Sequence, residues 1–120
     1  MEKQRIFVYG TLRRGLWNHH WLMNSRYIGN GKTCNKYALY ADTIPYVFKS
    51  ESVSPIHGEV YDVDEKTLTH IDRLENHPAW YRRELVDICL EDETIIRAWL
   101  YFFPENNGSL IKTGDYLDWR

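Results

Sequence analysis

Ile56-His57-Gly58-Glu59-Val60-Tyr61-Asp62-Val63, followed without a break by Asp64-Glu65-Lys66-Thr67-Leu68-Thr69-His70-Ile71-Asp72-Arg73-Leu74-Glu75, is the passage that decides the fold. Its first eight residues have clear β-strand composition. Asp64 is a good helix N-cap and Glu65 in the first turn suits the helix dipole, so a helix is predicted from there to about Asn76, with Pro78 ending the region. Downstream, 81–91 and 94–103 read as strands joined by the polar Glu91-Asp92-Glu93-Thr94, a hairpin. Upstream, 5–9 (Arg-Ile-Phe-Val-Tyr) reads as a first strand stopping at Gly10. Asn18 is the expected N-cap of a short helix carrying Trp21, Leu22 and Met23, and 33–41 and 44–49 are expected to be extended. Strands in succession with one substantial helix placed late give an α+β chain, unlike a regular βαβ alternation. The expected architecture is a small, mostly antiparallel β-barrel with flanking helices, built from residues 1–120 as a single domain.

Hydrophobic residues make up 43% and charged residues 27% of the 120, which excludes the disordered class. Aromatics reach 15%, nine of them Tyr, an excess that suits strands and a pocket with apolar walls and hydroxyl tips. Fifteen basic against seventeen acidic residues, a net charge of −2, give no electrostatic case for nucleic acid or an anionic membrane. The expected partner is a small molecule. Met1-Glu2-Lys3-Gln4-Arg5 carries no apolar signal region and no run is long enough to span a bilayer, so the expected location is the cytoplasm. Cys34 and Cys89 lack metal-ligand spacing and are expected to be reduced and buried. His19, His20, His57, His70 and His77 form no recognised ligand motif, so no metal is expected.

Two places carry chemistry. On the predicted helix, Leu68, Ile71 and Glu75 fall on one side, placing a carboxylate on the apolar stripe. Apolar surroundings disfavour its charged form and raise its pKa, which suits proton exchange near neutrality. The competing reading pairs Glu75 with Arg82 or Arg83. The second place is the loop Tyr9-Gly10-Thr11-Leu12, where a chain turning at a glycine can aim consecutive N–H groups into one concavity and hold an anion or oxyanion. The competing reading is an ordinary turn. The spacing from Gly10 to Gly15 is not a phosphate loop, because Leu16 and Trp17 stand where Lys and Ser or Thr would be needed.

Phe7-Val8-Tyr9-Gly10-Thr11-Leu12-Arg13-Arg14-Gly15, Gly58-Glu59-Val60-Tyr61, Ile71-Asp72-Arg73-Leu74-Glu75 and Tyr81-Arg82-Arg83, in that order, resemble the γ-glutamyl cyclotransferase-like family, also called the avirulence-induced-gene-2-like family. The loop with Asn18-His19, Glu75 and the run His77 to Arg83 is most similar to the γ-glutamylamine cyclotransferases within it. Ile111-Lys112-Thr113-Gly114-Asp115-Tyr116 is similar instead to the tails of short prokaryotic members. The resemblance implies a β-barrel with flanking helices and an enzyme that needs no cofactor. Its implied reaction converts a γ-glutamyl amide, such as γ-glutamyl-lysine, into 5-oxoproline and free amine. The substrate's own α-amine attacks the γ-carbonyl. By carry-over Glu75 is the general acid and base, and Tyr9, Gly10, Thr11 and Leu12 form the substrate-binding loop. Tyr81 orients substrate or Glu75, and Arg83 is a weaker substrate-contact candidate. A binding module of the same fold, or a deacylase removing a γ-glutamyl protecting group, remain the alternatives.

Overall fold

The computed structural model describes residues 4–77 and 79–119. Strand β1 (Gln4–Val8) is followed by a short 3-10 helix (His19–Leu22), then β2 (Arg26–Thr33), β3 (Ala38–Ala41), β4 (Pro45–Phe48) and β5 (His57–Val63). Helix α1 (Glu65–Leu74) comes next, then β6 (Arg82–Leu90), β7 (Ile95–Phe102), β8 (Ser109–Ile111) and a last 3-10 turn (Tyr116–Asp118). One sheet runs in the order β1-β5-β2-β6-β7-β4-β3-β8. A parallel pairing of Ile6 with Trp99 joins β1 to β7 and closes five of the strands into a barrel. All other pairings are antiparallel except that of β4 with β7, so the expected α+β barrel is the observed one.

Alternation along β1 explains how one strand serves two layers. Phe7 points into the barrel among Val60, Ile88 and Leu100, while Ile6 and Val8 face outward under Leu68 and Ile71 of α1. Those two helix residues are buried, and each contributes about 1.5–3 kcal/mol by leaving water. Asp64 caps α1 as expected, accepting from Thr67 N–H at 2.7 Å. The helix ends at Leu74, two residues earlier than predicted. Asn76 takes a left-handed φ of 57°, and His77 N–H reaches back to the Asp72 carbonyl at 2.8 Å, which closes the last turn as a Schellman motif. The stop assigned to Pro78 lies outside the described residues.

Strands β2 and β8 are absent from the sequence expectation, which placed extended structure at 33–41 instead. β2 contains Gly29, Asn30 and Gly31 and is mostly exposed or half-buried, so its composition is poor for a strand; it forms because β5 and β6 pair with it on either side. Glycine is required there, since a Cβ on Gly31 would sit 2.8 Å from the Cys89 carbonyl oxygen. The cysteines also depart from expectation: Cys34 is exposed and Cys89 half-buried. Val86 and Ile88 occupy the inward face of β6, so alternation turns Cys89 outward. No helix among the described residues is long and apolar enough to cross a membrane.

Candidate active site

Where β1 runs out, the chain cannot continue along the barrel and turns over its end. Arg13 N–H closes the turn on the Gly10 carbonyl at 3.0 Å, and Asn18 N–H bonds the Thr11 carbonyl at 3.0 Å. The Asn18 side chain bonds Thr11 Oγ1 at 2.9 Å and does not cap the 3-10 helix as the sequence suggested. His19 Nδ1 lies 2.9 Å from the Leu12 carbonyl. Gly10 is glycine for a steric reason and not a torsional one. A Cβ there would lie 2.5 Å from Cγ of Pro45, the first residue of β4. The N–H groups of Gly10, Thr11 and Leu12 have no protein acceptor among the described residues.

A cavity of about 190 Å³ opens between this loop, the start of β4 and the end of α1, and Tyr9 to Leu12, Glu75 and Tyr81 all line it. The two halves of the sequence expectation therefore share one space. Glu75 is the C-cap of α1, its N–H on the Ile71 carbonyl at 2.9 Å. This backbone anchoring on the apolar stripe directs the side chain inward. Desolvation raises its carboxyl from 4.5 to about 7. A helix C-terminus is in addition an unfavourable place for a negative charge. Neither Arg82 nor Arg83 pairs with it. Among the described residues, Glu75 is the only charged one in the cavity wall.

Three tyrosines surround that carboxyl, giving apolar walls with hydroxyl tips. Tyr9 donates to the Tyr101 carbonyl at 3.0 Å, Tyr81 to the Pro45 carbonyl at 3.2 Å, and Tyr101 to Asp72 Oδ1 at 2.5 Å. All three phenols are pushed above their ordinary range by burial, with further upward contributions that include the Glu75 charge. They remain protonated donors across any ordinary pH. Tyr81 thus braces the Pro45 end of β4 and does not bond Glu75. Tyr81→Phe is expected to cost about 1 kcal/mol in stability, because it leaves a buried carbonyl unpaired, and to lower turnover less than tenfold; thermal unfolding and steady-state kinetics check both.

Arg83 lies outside the cavity wall. Its Nε and Nη2 grip Asp72 at 2.8 and 3.2 Å, and its guanidinium stacks over Trp99 at 4.3 Å. Asp72 also receives Tyr101, so Arg83 acts on the site only through that chain. Tyr101, Asn18, Pro45 and the rim residues Trp17, Ile44 and Leu74 are cavity-wall members that the sequence reading did not assign to the site, although Asn18 and Leu74 stood in stretches that carried the resemblance. Only the tyrosine excess hinted at the first of them. No cluster of three or more His, Cys, Asp or Glu among the described residues is arranged to hold a metal ion.

Residues 6–118 match the model of the family described as gamma-glutamyl cyclotransferase, AIG2-like. A Methanocaldococcus jannaschii protein provisionally named a gamma-glutamylcyclotransferase is 57% identical over 116 residues, covering 96% of this chain and 97% of that one. The gamma-glutamylcyclotransferase family protein YtfP of Escherichia coli K12 is 35% identical, covering 95% and 96%. Among solved structures, an AIG2-like protein of Mus musculus superposes with a TM-score of 0.84 at 26% identity, covering 97% of this chain and 89% of that one. The chain belongs to the gamma-glutamyl cyclotransferase, AIG2-like family and is an enzyme of the cyclotransferase type.

Proposed function

We propose that the protein cyclises γ-glutamyl amides, with Glu75 as the single proton carrier and the Tyr9-Gly10-Thr11-Leu12 loop as the substrate cradle. The observation that carries this reading is one carboxyl of raised pKa sharing a small cavity with a row of free backbone N–H groups. Glu75 as carboxylate takes a proton from the substrate's α-ammonium. The freed amine attacks the γ-carbonyl, the new C–N bond closes the five-membered ring, and the oxygen gains negative charge. Loop N–H groups then stabilise that oxygen and the glutamyl carboxylate. Collapse breaks the bond to the departing nitrogen, and the protonated Glu75 returns a proton to it. Two protons leave the attacking nitrogen and two reach the departing one, so a carboxyl near neutrality can relay both in turn. No enzyme nucleophile is needed, because intramolecular attack already has a high effective molarity.

Incubation with γ-glutamyl-ε-lysine and a panel of γ-glutamyl amides and amino acids, followed by detection of 5-oxoproline, tests the reaction. The expected result is stoichiometric 5-oxoproline and free amine. With free enzyme needing Glu75 ionised, kcat/KM should rise with pH up to about 7 and then level. Unchanged substrate after prolonged incubation would instead favour the binding-module reading.

A further inference from the structure

Three stretches that the reaction does not use converge on one buried group of charges. Glu59 and Arg13 are 7% and 6% exposed. Glu59 stands on β5 opposite Val8, at the point where β1 ends. Gly58 permits this approach, since a Cβ there would lie 2.3 Å from the Val8 carbonyl oxygen. One carboxylate oxygen of Glu59 accepts from Arg14 N–H at 2.9 Å and from the Tyr61 hydroxyl at 2.8 Å. The other faces Arg13 Nε at 3.5 Å, and Arg13 Nη1 extends to Asp115 Oδ1 at 2.7 Å. Asp115 in turn caps the final 3-10 turn through Leu117 N–H at 3.0 Å.

Resting on the proposed reaction, we infer that Glu59 is a positioning residue that fixes the substrate loop from behind, with Arg13 and Asp115 completing the brace. Glu59, Arg13 and Asp115 are absent from the cavity wall, so the loop backbone is held from outside it. Arg14 N–H is tied to Glu59, and Arg13 N–H is tied to Gly10, so the free N–H groups between them are kept in one arrangement. A carboxylate is specifically required. Glutamine at 59 could present its oxygen to Arg14 N–H and Tyr61 only by turning its NH₂ toward the Arg13 guanidinium, donor against donor; the flipped rotamer fails at Arg14. A loose cradle still closes on substrate but starts from more conformations, so the deficit falls mainly on substrate binding. The proton-carrying step at Glu75 is unaffected.

Glu59→Gln in the full chain tests this, with Thr33→Val as a control for buried polar loss remote from the loop. Three quantities are read: backbone amide exchange across 10–14, KM and kcat with γ-glutamyl-ε-lysine, and the position of the acid limb. In Glu59→Gln we expect loop-amide exchange and KM each to rise about tenfold, the cost of one charge-assisted bond, with the acid limb unmoved. Thr33→Val should lower the unfolding temperature and leave KM and loop exchange alone. Asp115→Asn, at the exposed end of the network, should give the same pattern in weaker form and serves if Glu59→Gln fails to fold. Loop exchange and KM in Glu59→Gln and Asp115→Asn no different from Thr33→Val would overturn the inference. If the unaltered protein forms no 5-oxoproline from any amide, the proposed reaction fails, and exchange alone then decides whether the brace exists.

Discussion

Replacing Glu75 by Gln is expected to abolish turnover and to make the folded protein more stable at pH 8. Loss of a positioned general acid and base typically costs 10²–10⁴-fold, and with no second carboxyl or imidazole among the described residues of the cavity wall a fall of about 10³-fold is expected here. The stability change follows from the same carboxyl. Its folded-state pKa of about 7 lies above the ordinary 4.5 because burial penalises its charge. Below 4.5 both folded and unfolded chains hold the proton and the difference vanishes. Between 4.5 and 7 the folded chain binds more protons, so stability falls as pH rises; above 7 the penalty is complete, at roughly 3 kcal/mol. Gln carries no charge to desolvate. Its advantage should therefore be nil near pH 4 and full at pH 8, where an unfolding temperature raised by roughly 10–15 °C is expected. Scanning both proteins at the two pH values checks the sign. Undiminished 5-oxoproline formation by Glu75→Gln would remove the residue from the mechanism.

Gly10→Ala should produce the second-largest effect. The added methyl would meet Pro45 Cγ at 2.5 Å, well inside contact distance, and a proline ring at the start of a strand cannot swing aside. Either the loop lifts away from β4 or β4 shifts. Both Gly10 and Pro45 line the cavity, so either movement displaces N–H groups that, in the proposed reaction, meet an oxygen to within a fraction of an ångström. A displacement of about 1 Å can cost 10²-fold, and kcat/KM is expected to fall by about that factor. Overpacking of this kind should also cost about 1–3 kcal/mol in stability, read by denaturant titration. Because Gly10 does not have a left-handed φ, pairing Gly10→Ala with Pro45→Ala should restore part of both losses; pairing it with any change elsewhere should not.

Much of this was legible in the chain alone, for a consistent reason. Local signals set the strand 57–63, the Asp64 cap, the helical phase of Leu68, Ile71 and Glu75, and the hairpin of β6 and β7, because each depends on the chemistry of neighbours within a few residues. Resemblance to one family then linked Glu75 to the Tyr9–Leu12 loop, which neither helical phase nor turn chemistry could do. What the sequence left open depended on residues far apart along the chain. Strand β2 exists through its partners and not through its composition. Gly10 is glycine because of Pro45, thirty-five positions away, and Arg83 is committed to Asp72 and Trp99 where sequence proximity suggested Glu75 and the resemblance suggested substrate. Cys89 turned outward because pleat alternation, and not residue type, assigned the faces of β6, and Cys34 is exposed just past the end of β2. The sequence by itself determined most of the elements and marked Glu75 and the Tyr9–Leu12 loop as the candidate pair. Only the tertiary structure decided that Glu75 and the loop face one cavity and that Glu59, Arg13 and Asp115 meet beside the loop. Burial, close approach and charge pairing are properties of the space between segments, and no single segment contains them.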